Sequence, residues 1–274
     1  MNPQSTVMIV AYGIDRIDLA WIPPTTPVVI VHNDEALSEN ACDHPMVTHL
    51  WPGRNLGFGA GMNRALDAAV TPRVILCNPD TELTEHHFAA LDRGDERTIV
   101  TVPLVESDGT PNAVVNPYWS VPAFVLTAFR LGRFAPRGGW VRRTATRVLG
   151  RNGADHMAAL EHGAGEWLLT DRWATGALFS VSTEALRAVG GFDEEFFLYY
   201  EDADLQQRLA RRFPDMRVRL DAVSPGRHLV GGCAIDTSDR ISVATHRRQS
   251  AQLYAARQEG AGWRVAEALV GARS

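Results

Sequence analysis

The 274-residue chain contains no lysine: all 27 of its basic residues are arginine, which we read as the codon usage of a GC-rich genome. It has only three cysteines, Cys42, Cys77 and Cys233, widely spaced and forming no CxxC, so a disulfide framework and a structural zinc site are both excluded as folding devices. Basic charge is not in excess: 32 acids against 27 bases give a net charge of -5, which argues against a dedicated nucleic-acid binder. The N-terminal segment MNPQSTVMIVAYGID lacks the charged and apolar blocks of a signal peptide, and none is expected. The uncharged stretch from Pro111 to Phe129 is broken by three prolines and is a poor membrane span. What is present is an ordinary globular composition, 45% hydrophobic and 22% charged, long enough to bury a core unaided.

The even average hides an asymmetry. Between Asp108 and Asp155 there is no acid but seven arginines, Arg130, Arg133, Arg137, Arg142, Arg143, Arg147 and Arg151. Aromatics lie among and before them, including Tyr118, Trp119, Phe124 and Trp140. Such a segment suits a surface resting on anionic headgroups or a groove for a diphosphate; a solvated stretch whose aromatics are simply core is the plain alternative.

Short apolar runs at Val7–Ala11, Val28–His32, Val47–Trp51 and Arg73–Cys77 read as strands, each ending in turn-formers or polar residues. A helix is expected over Ala60–Val70, opening from a glycine-rich loop. The connection from Ile14 to Pro27 holds three prolines, so its helix is reduced or absent. Further on, Ile99–Leu104 and Trp173–Ser182 read as strands, Thr183–Val189 and Asp202–Arg212 as helices, and Val218–Leu220 as a strand. A helix over Ser242–Glu259 closes the chain. Strand–helix alternation of this kind predicts an α/β fold with a mostly parallel sheet flanked by helices, in one compact domain. In such sheets ligands sit at the carboxyl ends of the strands.

Four segments there carry chemistry. Asn55-Leu56-Gly57-Phe58-Gly59-Ala60-Gly61-Met62-Asn63 lets backbone approach a ligand, and the helix after it offers free N–H groups to an anion; a tight loop-to-helix turn is the alternative. It is neither a P-loop nor a GxGxxG after the first strand, which counts against a Rossmann dehydrogenase. Asn78-Pro79-Asp80 puts a carboxylate at a strand end, placed for a divalent cation or simply for a turn. Between Asp193 and Asp204 six carboxylates are interleaved with aromatics. Semi-buried at a helix start, such acids supply a general base of raised pKa, or they merely favour the helix dipole. Last, Arg227-His228 follows Pro225-Gly226.

The order NxGFGxGxN, NPD, GGFDExFFLYYEDADL and a late histidine resembles the inverting family 2 glycosyltransferases of the GT-A fold, and within them the bacterial rhamnosyltransferase-like branch. The resemblance runs from about Val7 to His228. It implies a nucleotide-sugar-binding half at 1–105, an arginine-rich insertion at 106–170, and an acceptor half with the closing helix at 171–274. It implies Mg2+ or Mn2+ held by Asp80, in a shortened motif with Asn78, and by His228. Asp202 is the implied base. Donor contacts are implied for Ala11, Tyr12, Asn33, Asn55, Gly57, Asn63, Gly176 and Ala177. Acceptor contacts are implied for Trp173, Asp193, Glu194 and Glu201. One feature departs from the pattern: the Asp usual at the end of the second strand is missing from Val31-His32-Asn33-Asp34-Glu35, so either His32 replaces it or Asp34 serves from a shifted position. The expected partners are a nucleotide-diphosphate sugar, dTDP-rhamnose foremost, and a lipid-linked or oligosaccharide acceptor. UDP-galactofuranose or UDP-N-acetylhexosamine as donor, or a non-catalytic nucleotide-sugar-binding scaffold, are the alternatives. The expected location is the cytoplasm, with peripheral contact to an anionic membrane through residues 118–151.

Overall fold

A computed structural model describes residues 4–34, 42–128, 164–229 and 237–272. Arg130 to Arg151, Trp140, Glu35 and Cys233 lie outside the described residues, so the arginine-rich surface is not placed.

The first half of the chain supplies β1 (Ser5–Ala11), β2 (Val28–His32), β3 (Val47–Leu50), helix α1 (Phe58–Ala68) and β4 (Arg73–Cys77). β5 (Thr81–Glu82), α2 (Glu85–Leu91), β6 (Thr98–Thr101), β7 (Leu104–Val105), β8 (Pro111–Asn112), β9 (Val115–Pro117) and α3 (Val121–Ala128) follow. The second half supplies β10 (Gly165–Leu168), β11 (Arg172–Ala174), β12 (Leu178–Ser182), α4 (Thr183–Ala188) and α5 (Glu201–Arg212). It ends with β13 (Arg217–Leu220), β14 (Gly226–His228), α6 (Thr237–Ala256) and α7 (Ala261–Gly271).

Eight strands form the main sheet in the order β10-β13-β6-β12-β4-β1-β2-β3. β1, β2, β3 and β4 run parallel, β12 is antiparallel to both β4 and β6, and β13 is parallel to β6. β1, β2 and β4 are buried along their whole length, which is why they read as unbroken apolar runs: helices or loops cover both faces. Two smaller sheets, β11-β9 and β5-β14-β7-β8, stand beside it. The mixed, mostly parallel sheet with flanking helices agrees with the expected architecture.

Three expected elements are drawn differently. The single strand expected at Trp173–Ser182 is two: β11 pairs with β9, and β12 enters the main sheet between β4 and β6. Thr175-Gly176-Ala177 forms the break, because Thr175 N–H bonds to the Val114 carbonyl and Ala177 accepts from Asn78 N–H, drawing the chain from one sheet to the other. Ile99–Leu104 likewise divides into β6 and β7 at Pro103, which has no N–H for a ladder. The closing helix spans Thr237–Ala256, and Gly260, at φ 110°, turns the chain into α7.

Two apolar clusters result. The larger lies around the main sheet. The second is aromatic: Phe124, Trp173, Phe196, Tyr200 and Tyr254 bind α3, α6 and α7 to the segment before α5. Tyr118 and Trp119 pack against it. Of the described aromatics in the 118–151 segment, Phe124 is buried in this cluster and Tyr118 and Trp119 are half-buried against it. Among the described residues, no helix is long and apolar enough to cross a membrane.

Gly57 carries the junction between loop and α1 at φ 83°, and a Cβ there would run into the Phe197 carbonyl. Gly57→Ala should lower the unfolding free energy by about 1–3 kcal/mol, as measured by urea denaturation.

Candidate active site

The carboxyl ends of β1, β2 and β4, the 53–57 loop and the start of α5 enclose two adjoining cavities. One, of about 260 Å³, is lined by Tyr12, Asn33, Asn55, Gly57, Asn78 and Asp80. The other, of about 490 Å³, is lined by Trp173, Gly176, Ala177, Glu201, Asp202 and His228. Phe58, Asn78, Leu198 and Tyr199 line both. Half of the expected donor residues fall in the first cavity, whereas Gly176 and Ala177, also expected on the donor side, fall in the second with the expected base and two of the acceptor residues.

Asp202 sits in the first turn of α5. Its Oδ2 accepts from Gly176 N–H at 2.8 Å and its Oδ1 from Ala203 N–H at 2.8 Å. Burial pushes its carboxyl up to about 6, against the opposing pull of those backbone N–H groups. Its neighbour Glu201 is buried, and desolvation, reinforced by the charge of Asp202, holds that carboxyl well above the usual range. Burial thus raises both carboxyls of the pair, and Glu201 is the more strongly desolvated partner.

The backbone entering this pair is strained. Tyr199 and Tyr200 adopt φ 73° and 69°, a region that disfavours residues with a Cβ. About 1–3 kcal/mol each is offset by the packing around them. Phe58 N–H bonds to the Phe197 carbonyl at 3.0 Å, Phe197 stacks on His246 at 4.1 Å, and Tyr200 enters the aromatic cluster.

Gln206, one turn further along α5, is fully buried. Its amide accepts from Ala174 N–H at 2.8 Å and donates to the Ala174 carbonyl at 2.6 Å and the Asp202 carbonyl at 3.1 Å. It ties the Thr175-Gly176-Ala177 turn to the helix that carries Asp202. A glutamine inside a polar helical stretch gives no signal in sequence; only the facing β11 reveals its use.

Across the shared wall, His228 Nε2 lies 3.2 Å from Asp80 Oδ1 and 3.2 Å from Asn78 Nδ2. Asn112, which sequence reasoning missed, faces His228 Nδ1 at 3.2 Å. One imidazole nitrogen thus meets both a carboxylate and a carboxamide. Both asparagines set their Nδ2 atoms toward the ring; an imidazole nitrogen and an Asp80 carboxylate oxygen 3.2 Å apart are the nitrogen and oxygen donors here, and the Asn78 carboxamide oxygen would join them with that amide turned over. Among the described residues no third His, Cys, Asp or Glu joins them. This donor set fits a divalent cation that completes its shell with phosphate oxygens.

Several expected contacts are corrected. Ala11 is fully buried in β1 and lines neither cavity. His32 is buried, its Nε2 bonded to His49 Nδ1 at 2.8 Å and its ring stacked on Trp51 at 4.3 Å. Asp34 accepts from Gly13 N–H. Neither alternative for the missing Asp reaches the cavity; Asn33, between them, does. The glycine loop is not a free anion cradle. Leu56 N–H is taken by Asn33, Gly57 N–H by Asn55, and Phe58 N–H by Phe197, because the loop must satisfy its own backbone to hold the cavity wall. Asn63 donates to the Phe192 carbonyl and Glu194 and accepts from Phe192 N–H, so it pins the 191–194 turn. Asp193 pairs with Arg257, and Glu194 is exposed; neither lines the larger cavity.

The sheet order, with an antiparallel strand set into a parallel sheet and a strand-end aspartate beside it, defines the GT-A glycosyltransferase fold. No family model matches the chain. Over 185 residues, 61% of its length, it is 31% identical to an N-acetylglucosaminyl-diphospho-decaprenol L-rhamnosyltransferase of Mycobacterium tuberculosis. The match covers 54% of that protein, so the chain spans about half the length of the curated relatives it matches. Among solved structures, a mannosyltransferase of Pyrobaculum calidifontis in complex with GDP-Man and Mn2+ superposes with a TM-score of 0.51 at 15% identity. That superposition covers 98% of this chain and 70% of that one. The resemblance drawn from the motifs is thus supported by a rhamnosyltransferase relative and by the fold.

Gln206→Leu should cost about 3 kcal/mol, since it leaves buried carbonyls and an N–H group at Ala174 and Asp202 unpaired; thermal unfolding measures it. Asp202 is protonated below its raised pKa and a carboxylate above it. Any turnover that depends on it should therefore rise tenfold per pH unit up to about pH 6 and level off above, as a pH–kcat/KM profile will read.

Proposed function

We propose that this chain is an inverting family 2 glycosyltransferase of the rhamnosyltransferase-like branch. In this reading it moves rhamnose from dTDP-rhamnose to a hydroxyl of a lipid-linked or cell-surface polysaccharide acceptor. The observation that carries the reading is the placement of a desolvated carboxylate, Asp202, in a cavity that shares its wall with the Asp80–His228 pair.

The donor lies in the smaller cavity against Tyr12, Asn33 and Asn55, its diphosphate toward Asp80. The acceptor lies in the larger one. Asp80, His228 and Asn78 would hold Mg2+ or Mn2+, which when bound neutralises the diphosphate leaving group. Asp202 takes the proton of the acceptor hydroxyl as that oxygen forms its bond to the anomeric carbon. The bond from that carbon to the β-phosphate oxygen breaks, and its electron pair leaves with the nucleoside diphosphate. Attack from the face opposite the leaving group inverts the anomeric configuration in one displacement. Glu201, kept neutral, has a proton to donate to a second acceptor oxygen. The L-rhamnosyltransferase relative supports the choice of sugar, and the name of that relative supports a lipid-diphosphate acceptor.

The test is nucleoside-diphosphate release from a panel of sugar donors, with Mg2+ or Mn2+ and then with EDTA. The expected result is slow, metal-dependent hydrolysis of dTDP-rhamnose that Asp80→Ala abolishes. Release from a UDP-sugar alone would replace the donor, and no nucleotide binding by calorimetry would sink the reading. Asp202→Asn should lower turnover by about 10²–10⁴-fold with nucleotide affinity unchanged. A scaffold would lose nothing.

A further inference from the structure

Helix α6 roofs both cavities, and two of its neighbouring side chains divide between them. His246 lines the smaller cavity, whereas Arg247 lines the larger. Successive residues on a helix point about 100° apart, so α6 straddles the ridge between the two.

Arg247 is the one arginine lining the larger cavity among the described residues. Its guanidinium lies over the Tyr199 ring at 4.2 Å, and no described carboxylate pairs with it. Nor is it spent on the base: Asp202 is held by backbone N–H groups, and its raised pKa owes nothing to a neighbouring cation. The rest of the wall mixes the carboxyl groups of Glu106, Glu201 and Asp202 with Trp119, Trp173 and Tyr200, whose faces suit the apolar side of a sugar ring. A neutral saccharide in this cavity would stack and reach Asp202, but it would leave the guanidinium without an anion. A saccharide carrying a phosphoryl group at its reducing end would pair it, with the planar fork matched to two phosphate oxygens.

Resting on the proposed transferase reading, we infer that Arg247 binds the phosphoryl group of the acceptor and selects acceptors that carry one. The donor diphosphate is the other source of phosphate in the site. Asp80, toward which that diphosphate is directed, lines only the smaller cavity, and Arg247 lines only the larger. His228 and Asn78, which would help hold the donor's metal, also line the larger cavity, so calorimetric binding of dTDP is what separates the two phosphates.

The experiment compares the native chain with Arg247→Gln and Arg247→Lys on two acceptors that share an N-acetylglucosamine and a short prenyl tail. One joins them through a diphosphate and the other through a plain glycosidic bond. Arg247→Gln should lower kcat/KM for the diphosphate acceptor by about tenfold or more beyond whatever it does to the phosphate-free acceptor. Arg247→Lys should recover part of the loss. Equal losses on both acceptors would show that Arg247 only props Tyr199, and weaker calorimetric binding of dTDP would assign it to the donor. Calorimetric binding of the diphosphate acceptor is measured separately, so the inference is decided even if that sugar is not transferred. Weaker binding to Arg247→Gln supports it, and equal binding overturns it.

Discussion

A carboxylate that is to take a proton near neutrality must be dry enough to want one and still be held in place. At Asp202 that requirement is met without a cation: two backbone N–H groups, from Gly176 and Ala203, are its hydrogen-bond donors. Much of the surrounding structure follows from supplying the first of them. The chain must leave β11, turn at Thr175-Gly176-Ala177 and re-enter the main sheet as β12, so that Gly176 N–H faces the start of α5. Gln206 fixes the distance between that turn and the helix from behind. The small residue at 176 is in keeping with this, since a Cβ there would stand 3.4 Å from Asp202 Oδ2 and 3.3 Å from the Phe58 ring.

The second demand is on the approach to α5. Two consecutive tyrosines in the left-handed region are unfavourable in isolation, and they are kept by neighbours that cannot shift independently. Tyr200 is locked among Trp119, Phe124 and Tyr254, Tyr199 lies under Arg247, and Phe197 is stacked on His246. Arg257 draws Asp193 and Glu195 to α6 and lies against Phe196. The acid-rich run that stands out in the sequence thus has two uses. Its first acids anchor the roof helix, and only Glu201 and Asp202 face the cavity.

That division shows what was legible beforehand. The strand end at Asn78-Pro79-Asp80 was readable because buried parallel strands are apolar runs with abrupt polar ends, and Glu201-Asp202 was readable as an acid pair among aromatics at a helix start. The late His228 was readable by its order in the motif series, and it meets Asp80 across 148 positions of chain. What could not be read was the direction of individual amides. Asn33, Asn55 and Asn63 all lie in motif-like contexts, yet each bonds to backbone within the wall, and nothing local distinguishes an asparagine that holds a loop from one that faces a ligand. Gln206 and Asn112 were missed for the converse reason: their partners are far away in sequence. The split of Trp173–Ser182 was hidden because both halves are apolar, and the turn between them is set by bonds to Val114 and Asn78.

The position of β12 has a consequence for how the chain reaches this state. β4 is paired with β1 on one side, but its other edge is covered only by a strand that ends at Ser182, about a hundred residues later. As the polypeptide leaves the ribosome, the parallel half can collapse early. Its exposed β4 edge then waits through the synthesis of everything between, an interval in which an unpaired strand, apolar over Val74–Cys77, invites association with other chains. Closure comes when β12 slots in antiparallel and docks on β6 as well. Gly176 lies just before that strand, so the pairing that covers the β4 edge also sets the turn that faces α5, and β13 must still dock on β6 to complete the sheet.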